Sequence, residues 1–237
     1  MSPANPVPPA NPVPSAPPVP MTDRVPPTGP MSPTGPMPPA GRAPGARAVP
    51  PTRTAPPTRA ELDAAADRTI DDVLGPSLDV LFCGINPGLY SAATGHHFAR
   101  PGNRFWPALY RSGFTPRLFA PAEQGELPSY GLGITNVVAR ATAQAAELSP
   151  EEFREGGVRL ARLVAEVRPR VLAVAGVTAY RTAFGRPRAA IGPQETGIGD
   201  AAVWVLPNPS GLNAHWTLDR IAGEMRRLRE SLTRPAT

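Results

Sequence analysis

The sequence predicts an α/β fold of three layers, in which helices cover both faces of a central, mostly parallel sheet of four strands. Two observations lead to this prediction. Four short apolar runs are separated by segments with helical signals, an alternation typical of parallel sheets. The first run, residues 78–84, ends in glycine and is consistent with a strand that is buried on both faces.

The predicted elements follow one another along the chain after residue 59. A helix is predicted at 61–74, where Gly75 and Pro76 end it, and the first strand at 78–84. The next helix starts at Asn103, with Pro107 in its first turn. The remaining elements are a strand within 131–138, a helix capped by Ser149 that runs to about Arg168, a strand at 170–176, a helix at 178–185, a strand at 203–207 and a closing helix at 217–232.

Residues 1–58 have a different composition from the rest of the chain. Near-repeats such as PTGPMSPTGPM occur here, and 21 of the 35 prolines lie in the first 60 residues. Because few large apolar side chains are present to offset the entropy of ordering, we expect a disordered, proline-rich tail. The tail could bind a partner that recognises proline motifs, or it could be low-complexity sequence without a dedicated role. Residues 59–237 form the predicted folded domain.

The cysteine and lysine content excludes several kinds of chemistry. Cys83 is the single cysteine, so the chain has no internal disulfide, no four-cysteine iron–sulfur cluster and no ordinary Cys/His zinc site. The sequence has no lysine, so no side-chain amine can form a Schiff base. We therefore expect no metal and no other cofactor, a reducing cytoplasm as the setting, and Cys83 packed as a small apolar residue.

Charge and hydropathy say less about function. The net charge is +5, but the first 60 residues contain five Arg and one Asp, so the folded part is nearly neutral. Any nucleic-acid surface on it must therefore be a local arginine patch. An apolar run of membrane-spanning length and a signal peptide are both lacking, which predicts a soluble protein without a membrane partner.

Unusual residues follow three of the predicted strands. GINPG comes after the first strand, ITN ends the second, and NPSGLN comes after the fourth. Ligands of open α/β sheets bind at the carboxyl ends of the strands, so these loops are expected to form one crevice. GINPG and NPSGLN contain no carboxylate, catalytic triad or metal ligand set; they offer backbone N–H groups, the amides of Asn86 and Asn208, and the Ser210 hydroxyl. Such a site suits a reaction in which the leaving group departs early.

These segments also carry a family resemblance. GINPGLYSAATGHHFARPGNRFW, ITNVVARAT and LPNPSGLN, in this order, resemble the signature regions of mismatch-specific uracil/thymine-DNA glycosylases, over roughly residues 76–232. The resemblance implies a uracil-DNA glycosylase-like fold for residues 59–237. It also implies hydrolysis of the N-glycosidic bond of uracil, and in some members of thymine or etheno-adducted cytosine, opposite guanine in double-stranded DNA. This reaction initiates base excision repair.

The resemblance assigns roles to residues of the base pocket. Asn86 would position the hydrolytic water, Phe98 would stack on the flipped base, and the backbone N–H of Ile85 or Phe98 would hold the base oxygens. Gly88 stands where strictly uracil-specific relatives have a bulky Tyr, so room is expected beside C5 of the base. Ser91 and Asn136 would adjust this preference.

The second loop would act on the duplex. Leu212 matches an apolar wedge that fills the hole left by the flipped base, and Gly211 would approach the widowed guanine. Asn208 and Ser210 would support the loop and contact the sugar-phosphate. Some family members carry Lys at Asn136 and Arg at Ala214, so phosphate contacts are expected instead from Arg100, Arg104, Arg140 or the basic tail.

The resulting hypothesis is a monomeric, monofunctional glycosylase of the cytoplasm, associated with the nucleoid, that leaves an abasic site because it lacks a lysine amine. His96, His97 and His215 are interpreted as structural. Two alternatives remain open. The chain could be a noncatalytic DNA-binding module of the same fold, or a superfamily relative that acts on another base such as hypoxanthine.

Overall fold

The computed structural model describes residues 55–233, so all but the last four residues of the predicted tail lie outside the described residues. Two short 3₁₀ helices occupy Pro121–Tyr130 and Ala145–Glu147. The helices and strands are α1 (Arg59–Asp63), β1 (Val80–Gly84), α2 (Leu89–Thr94), α3 (Phe105–Arg111), β2 (Leu132–Asn136), α4 (Pro150–Val167), β3 (Val171–Ala175), α5 (Val177–Phe184), β4 (Gly192–Pro193), β5 (Ala202–Leu206) and α6 (Leu218–Thr233).

The central sheet has the order β2-β1-β3-β5-β4. Its first four strands pair in parallel and are the four strands predicted from the apolar runs. The fifth strand, β4, has two residues and pairs antiparallel with β5 at the edge. The sheet therefore has one strand more than the four predicted, because a strand of two residues is too short to show a periodic pattern in the sequence.

Helices cover both faces of the sheet, which confirms the three-layer α/β fold. Side chains such as Phe82 point to one face and pack with α3 and α6, while Leu81 and Cys83 point to the other and pack with α4 and α5. Cys83 is fully buried, as the sequence predicts, and burial raises the pKa of its thiol. None of the described helices is both long and apolar enough to cross a membrane.

The helix predicted at 61–74 is wrong beyond its first turn, because α1 ends at Asp63. Two hydrogen bonds tie the following segment to the chain after β2: Asp67 N–H donates to the Ala141 carbonyl at 3.0 Å, and Ala141 N–H donates to Arg68 at 2.9 Å. Val73 then pairs antiparallel with Ile134 of β2. These tertiary hydrogen bonds outweigh a modest local helix preference. Residues 67–73 therefore lie against β2 at the edge of the sheet, beside the predicted crevice.

Candidate active site

Loops that follow β1, β2 and β5 meet at the carboxyl ends of the strands and line a pocket of about 420 Å³. This is the convergence that the strand order predicts. Gly211 is the one predicted site residue that does not line the pocket. The other nine do: Ile85, Asn86, Gly88, Ser91, Phe98, Asn136, Asn208, Ser210 and Leu212.

The side-chain amide of Asn86 has one defined orientation. Its Nδ2 donates to the Arg140 carbonyl at 3.0 Å and to Thr142 Oγ1 at 2.7 Å. The Thr142 hydroxyl donates its own hydrogen to the Gln144 carbonyl at 2.9 Å, so Oγ1 can only accept from Asn86. A flipped amide would place oxygen against two acceptors. Asn86 Oδ1, which takes part in no hydrogen bond within residues 55–233, is therefore left as an acceptor at the pocket wall.

Phe98 presents an aromatic surface to the pocket. Its φ of 53° is one that residues other than glycine rarely adopt, so the surrounding structure must hold it. The Phe98 ring stacks on Phe105 of α3, with centroids 4.0 Å apart and planes inclined by 17°. Trp106, also in α3, donates from Nε1 to the His97 carbonyl at 3.1 Å. Helix α3 thus supports both the ring and the backbone of this segment.

The amide of Asn136, at the end of β2, is oriented by His97. Asn136 Nδ2 lies 3.3 Å from His97 Nδ1, and His97 Nε2 lies 3.1 Å from the Asp71 carbonyl oxygen. Because that carbonyl can only accept, Nε2 carries the hydrogen and Nδ1 accepts from Asn136. Burial lowers the pKa of His97, which favours the neutral ring that this pattern requires. His97 is therefore a buried, hydrogen-bonded residue of the pocket wall.

Gly84, the last residue of β1, and Gly88, the N-cap of α2, serve different purposes. A Cβ on Gly84 would lie 2.5 Å from Asn136 Oδ1 and 3.2 Å from Phe98 Cζ, so a side chain there would displace both pocket residues. Gly88 has an ordinary φ of −75°, and a Cβ there would meet nothing within 4 Å. The backbone at Gly88 would accept any residue, so the glycine leaves open space rather than relieving strain.

Ser91 is buried in α2 and lies at the pocket wall. Its Oγ accepts from Ala99 N–H at 3.1 Å, which ties the chain after Phe98 to α2. The hydroxyl hydrogen of Ser91 remains available to a ligand, because no hydrogen bond in the described part of the chain uses it.

The second loop, residues 208–216, is supported by its own side chains. Asn208 Oδ1 accepts from Ser210 N–H at 3.0 Å, and Ser210 Oγ accepts from Leu212 N–H at 3.3 Å. Contact of either side chain with a sugar-phosphate stays a prediction. Leu212 is 75% exposed, more than any other large apolar side chain that the structure describes. A Cβ on Gly211 would lie 2.7 Å from the carbonyl oxygen of Gly102, so the loop backs directly onto the turn before α3.

The three arginines of the folded part that were expected to contact phosphates have different surroundings. Arg140 forms ion pairs with Asp67 and Glu152, and these carboxylates hold its side chain against the protein. Arg104 directs its guanidinium at backbone carbonyls of the second loop. Arg100 is exposed at the pocket, and none of its donors takes part in a hydrogen bond or ion pair within residues 55–233. Of the three, Arg100 is the one free to meet an anion.

The pocket has few ionisable groups. Among residues 55–233, no Asp or Glu side chain lines it, and its ionisable side chains are His97 and Arg100. Within the described residues, no three His, Cys, Asp or Glu side chains are grouped closely enough to hold a metal ion. The arrangement therefore offers neutral hydrogen-bonding groups, an aromatic surface and one cation.

Residues 72–230, which include every strand of the described part of the chain and the loops that follow β1, β2 and β5, match the uracil DNA glycosylase superfamily. The chain belongs to this superfamily. Its fold is also similar to the solution NMR structure of a candidate uracil DNA glycosylase from Methanosarcina acetivorans, with a TM-score of 0.50 and 20% sequence identity. That similarity covers 71% of this chain and 99% of the other, and at this identity it supports the fold alone. Superfamily membership places the chain among the DNA glycosylases, hydrolases of the N-glycosidic bond that act on DNA.

Sequence reasoning missed several residues of this glycosylase pocket. Thr142 holds the Asn86 amide, and it stands at the end of the ITNVVARAT segment without being singled out. Ile70 lines the pocket, and the Asp71 carbonyl holds His97; both lie in the segment that was assigned to a helix. Thr142 could have been predicted as a pocket residue, because it lies two residues after Arg140 in the segment that follows the second strand. No sequence signal marks Ile70.

Proposed function

We propose that the chain is a monofunctional DNA glycosylase that releases uracil mispaired with guanine in duplex DNA and tolerates substituents at C5 of the base. The orientation of Asn86 supports this proposal most directly. The Asn86 amide oxygen, which has no hydrogen-bond partner within residues 55–233, lies in a pocket that no carboxylate of these residues lines. An amide can hold and orient a water molecule, but it cannot remove a proton effectively near neutral pH. The site therefore suits hydrolysis in which bond cleavage to the base precedes attack.

The reaction follows from the groups on either side of the sugar. As the N-glycosidic bond breaks, its electron pair moves to N1 of the pyrimidine, and the sugar acquires oxocarbenium character. Water held by Asn86 Oδ1 adds to C1′ and loses a proton to solvent, and the departing base anion takes up a proton from solvent, which leaves a free base and an abasic site. The backbone N–H groups of Ile85 and Phe98 donate no hydrogen bond within residues 55–233, so both are available to the base oxygens as negative charge develops.

The pocket wall accounts for the proposed range of bases. Phe98 offers a flat surface, held by Phe105, on which a flipped pyrimidine can stack. Asn136 presents Oδ1 as an acceptor, since its Nδ2 is directed at His97. The open space at Gly88 leaves room for a 5-methyl or larger group, which favours thymine and other C5-substituted or etheno-adducted pyrimidines as further substrates.

The second loop and Arg100 provide the contacts with the duplex. Leu212 is an exposed apolar side chain at a loop tip, and its insertion into the base stack would offset part of the unstacking energy. Arg100, whose side-chain donors have no partner in the described part of the chain, would bind a backbone phosphate beside the flipped nucleotide. The protein would act as a monomer in the cytoplasm and initiate base excision repair. It would not nick the strand, because the sequence has no lysine to form a Schiff base.

A single-turnover assay tests this function. The protein is incubated in excess with duplexes that carry G·U, A·U, G·T or G·etheno-cytosine, and with a single-stranded uracil control; alkali then cleaves any abasic site. We expect strand cleavage after alkali for G·U and none without alkali. An intact G·U duplex that the protein nevertheless binds would favour the noncatalytic alternative, and release of hypoxanthine alone would favour a different base specificity.

A further inference from the structure

The guanidinium of Arg104 lies inside the second loop. Its Nη1 and Nη2 donate to four backbone carbonyls of that loop, and the Arg104 backbone N–H donates to a fifth, that of Pro209, at 2.9 Å. The four side-chain contacts are with the carbonyl oxygens of Ser210 at 3.3 Å, Gly211 at 3.1 Å, Asn213 at 2.8 Å and Trp216 at 2.8 Å.

This arrangement is specific to an arginine. A guanidinium is planar and has five N–H donors in a fixed geometry, and it accepts no hydrogen bond. Carbonyl oxygens that converge on one point repel one another unless a cation lies among them. The loop carbonyls therefore turn inward to Arg104, while Leu212 at the loop tip stays 75% exposed. The loop's own side chains, such as Asn208 and Ser210, hold it locally, whereas the guanidinium connects four of its carbonyls to α3.

Arg104 also connects the loop to the base pocket. It is the N-cap of α3, and the next residue, Phe105, stacks on Phe98. Gly102, two residues earlier, lies directly against Gly211 of the loop. Residues 102–105 therefore contact the aromatic surface on one side and the second loop on the other. This short segment therefore connects the packing of Phe98 to the loop that carries Leu212.

We infer that Arg104 is a positioning residue that holds Leu212 in the geometry needed for insertion before DNA binds. This inference rests on the proposed function for the role of Leu212, while the ordering of the loop is a property of the free protein. A loop that is ordered in advance does not lose conformational freedom on binding, and it inserts at a fixed separation from the flipped base. Arg104 thereby couples insertion to base capture.

Hydrogen exchange of the free protein tests the ordering directly. Arg104→Lys keeps the positive charge, but a single ammonium on a flexible chain cannot reach four separated carbonyls. We expect faster amide exchange across residues 208–216, with the strands of the sheet unchanged. Arg181→Lys is the matched control, because Arg181 also donates to a carbonyl, that of Ala189, away from the pocket. Wild-type exchange of the loop in Arg104→Lys would overturn the inference, whatever the activity of the protein.

A double-mutant cycle tests the link to insertion. In single-turnover release from a G·U duplex, Arg104→Lys should lower the rate by no more than Leu212→Ala does, about five- to thirtyfold, because a positioning residue can cost no more than the side chain that it positions. In a Leu212→Ala background, the same change should cost less than about twofold, since Arg104 would act through Leu212. If Arg104→Lys lowers the rate as much in the Leu212→Ala background as in wild type, Arg104 does not act through Leu212. An inactive wild-type protein with a loosened Arg104→Lys loop would refute the proposed function and leave the ordering role intact.

Discussion

Replacement of the Thr142 hydroxyl tests how strongly the orientation of the Asn86 amide determines the rate of uracil release. Thr142 is buried, and its Oγ1 accepts from Asn86 Nδ2 at 2.7 Å while donating to the Gln144 carbonyl at 2.9 Å. Thr142→Val keeps the shape of the side chain and removes both hydrogen bonds. Asn86 Nδ2 is then held by the Arg140 carbonyl alone, at 3.0 Å.

The size of the effect follows from the lost contact with Asn86. One such hydrogen bond contributes about 0.5–1.5 kcal/mol, which corresponds to a two- to roughly tenfold lower rate if the loss falls on the transition state. Single-turnover release of uracil from a G·U duplex measures the rate, and fluorescence anisotropy measures duplex affinity, which should not change.

Thr142→Ser is the matched control for this prediction. Serine keeps the hydroxyl that accepts from Asn86, so its rate should stay within about twofold of wild type. The Thr142 backbone N–H donates to the Pro87 carbonyl at 3.2 Å, and neither substitution removes this backbone donor. A Thr142→Val protein that releases uracil at the wild-type rate would refute the argument that the amide must be held from this side.

Three further predictions concern the wedge, the C5 space and the phosphate contact. Leu212→Ala should slow release of uracil from duplex DNA about five- to thirtyfold, because burying a leucine that is 75% exposed contributes about 1–2 kcal/mol. An equal loss of rate on single-stranded DNA would show that Leu212 is not a wedge. Gly88→Tyr should lower release of 5-bromouracil about ten- to two-hundredfold relative to release of uracil, because a tyrosine would fill the space beside C5. Gly88→Ala, which adds only a methyl group, is the control. An unchanged ratio of the two release rates in Gly88→Tyr would show that this space does not face C5. Arg100→Ala should reduce the slope of log affinity against log salt by about 0.9, compared with no change for Arg181→Ala; an unaltered slope would exclude the phosphate contact.

Local signals in the sequence were sufficient for most of the fold. The four parallel strands appear as apolar runs because each is covered on both faces, and the start of α4 was predictable because Ser149 and Glu152 form a reciprocal cap. The segment after Asp63 was misassigned because its conformation is determined by hydrogen bonds to Ala141 and Ile134, which are distant in sequence. A local pattern contains no information about such partners.

The site shows the same division between local and distant information. The positions of Asn86 and Phe98 followed from the order of the motifs, and both line the pocket. The atoms that orient Asn86 and Asn136 could not be predicted, since they come from Thr142 and from His97 with the Asp71 carbonyl. Arg104 was among the arginines expected to contact phosphates, because Asn136 and Ala214 stand where some family members carry Lys and Arg. Its partners in the structure are backbone carbonyls, which carry no side-chain signature.

The central claim is that Asn86 Oδ1 orients the water that completes base release. The most direct test compares wild type with Asn86→Ala on the same G·U duplex, measuring free uracil by mass spectrometry under single-turnover conditions and duplex affinity by anisotropy. We predict that the variant loses about a hundredfold or more in the rate of uracil release while binding the duplex as tightly as wild type. Release at the wild-type rate, or a loss of binding as large as the loss of rate, would contradict the account.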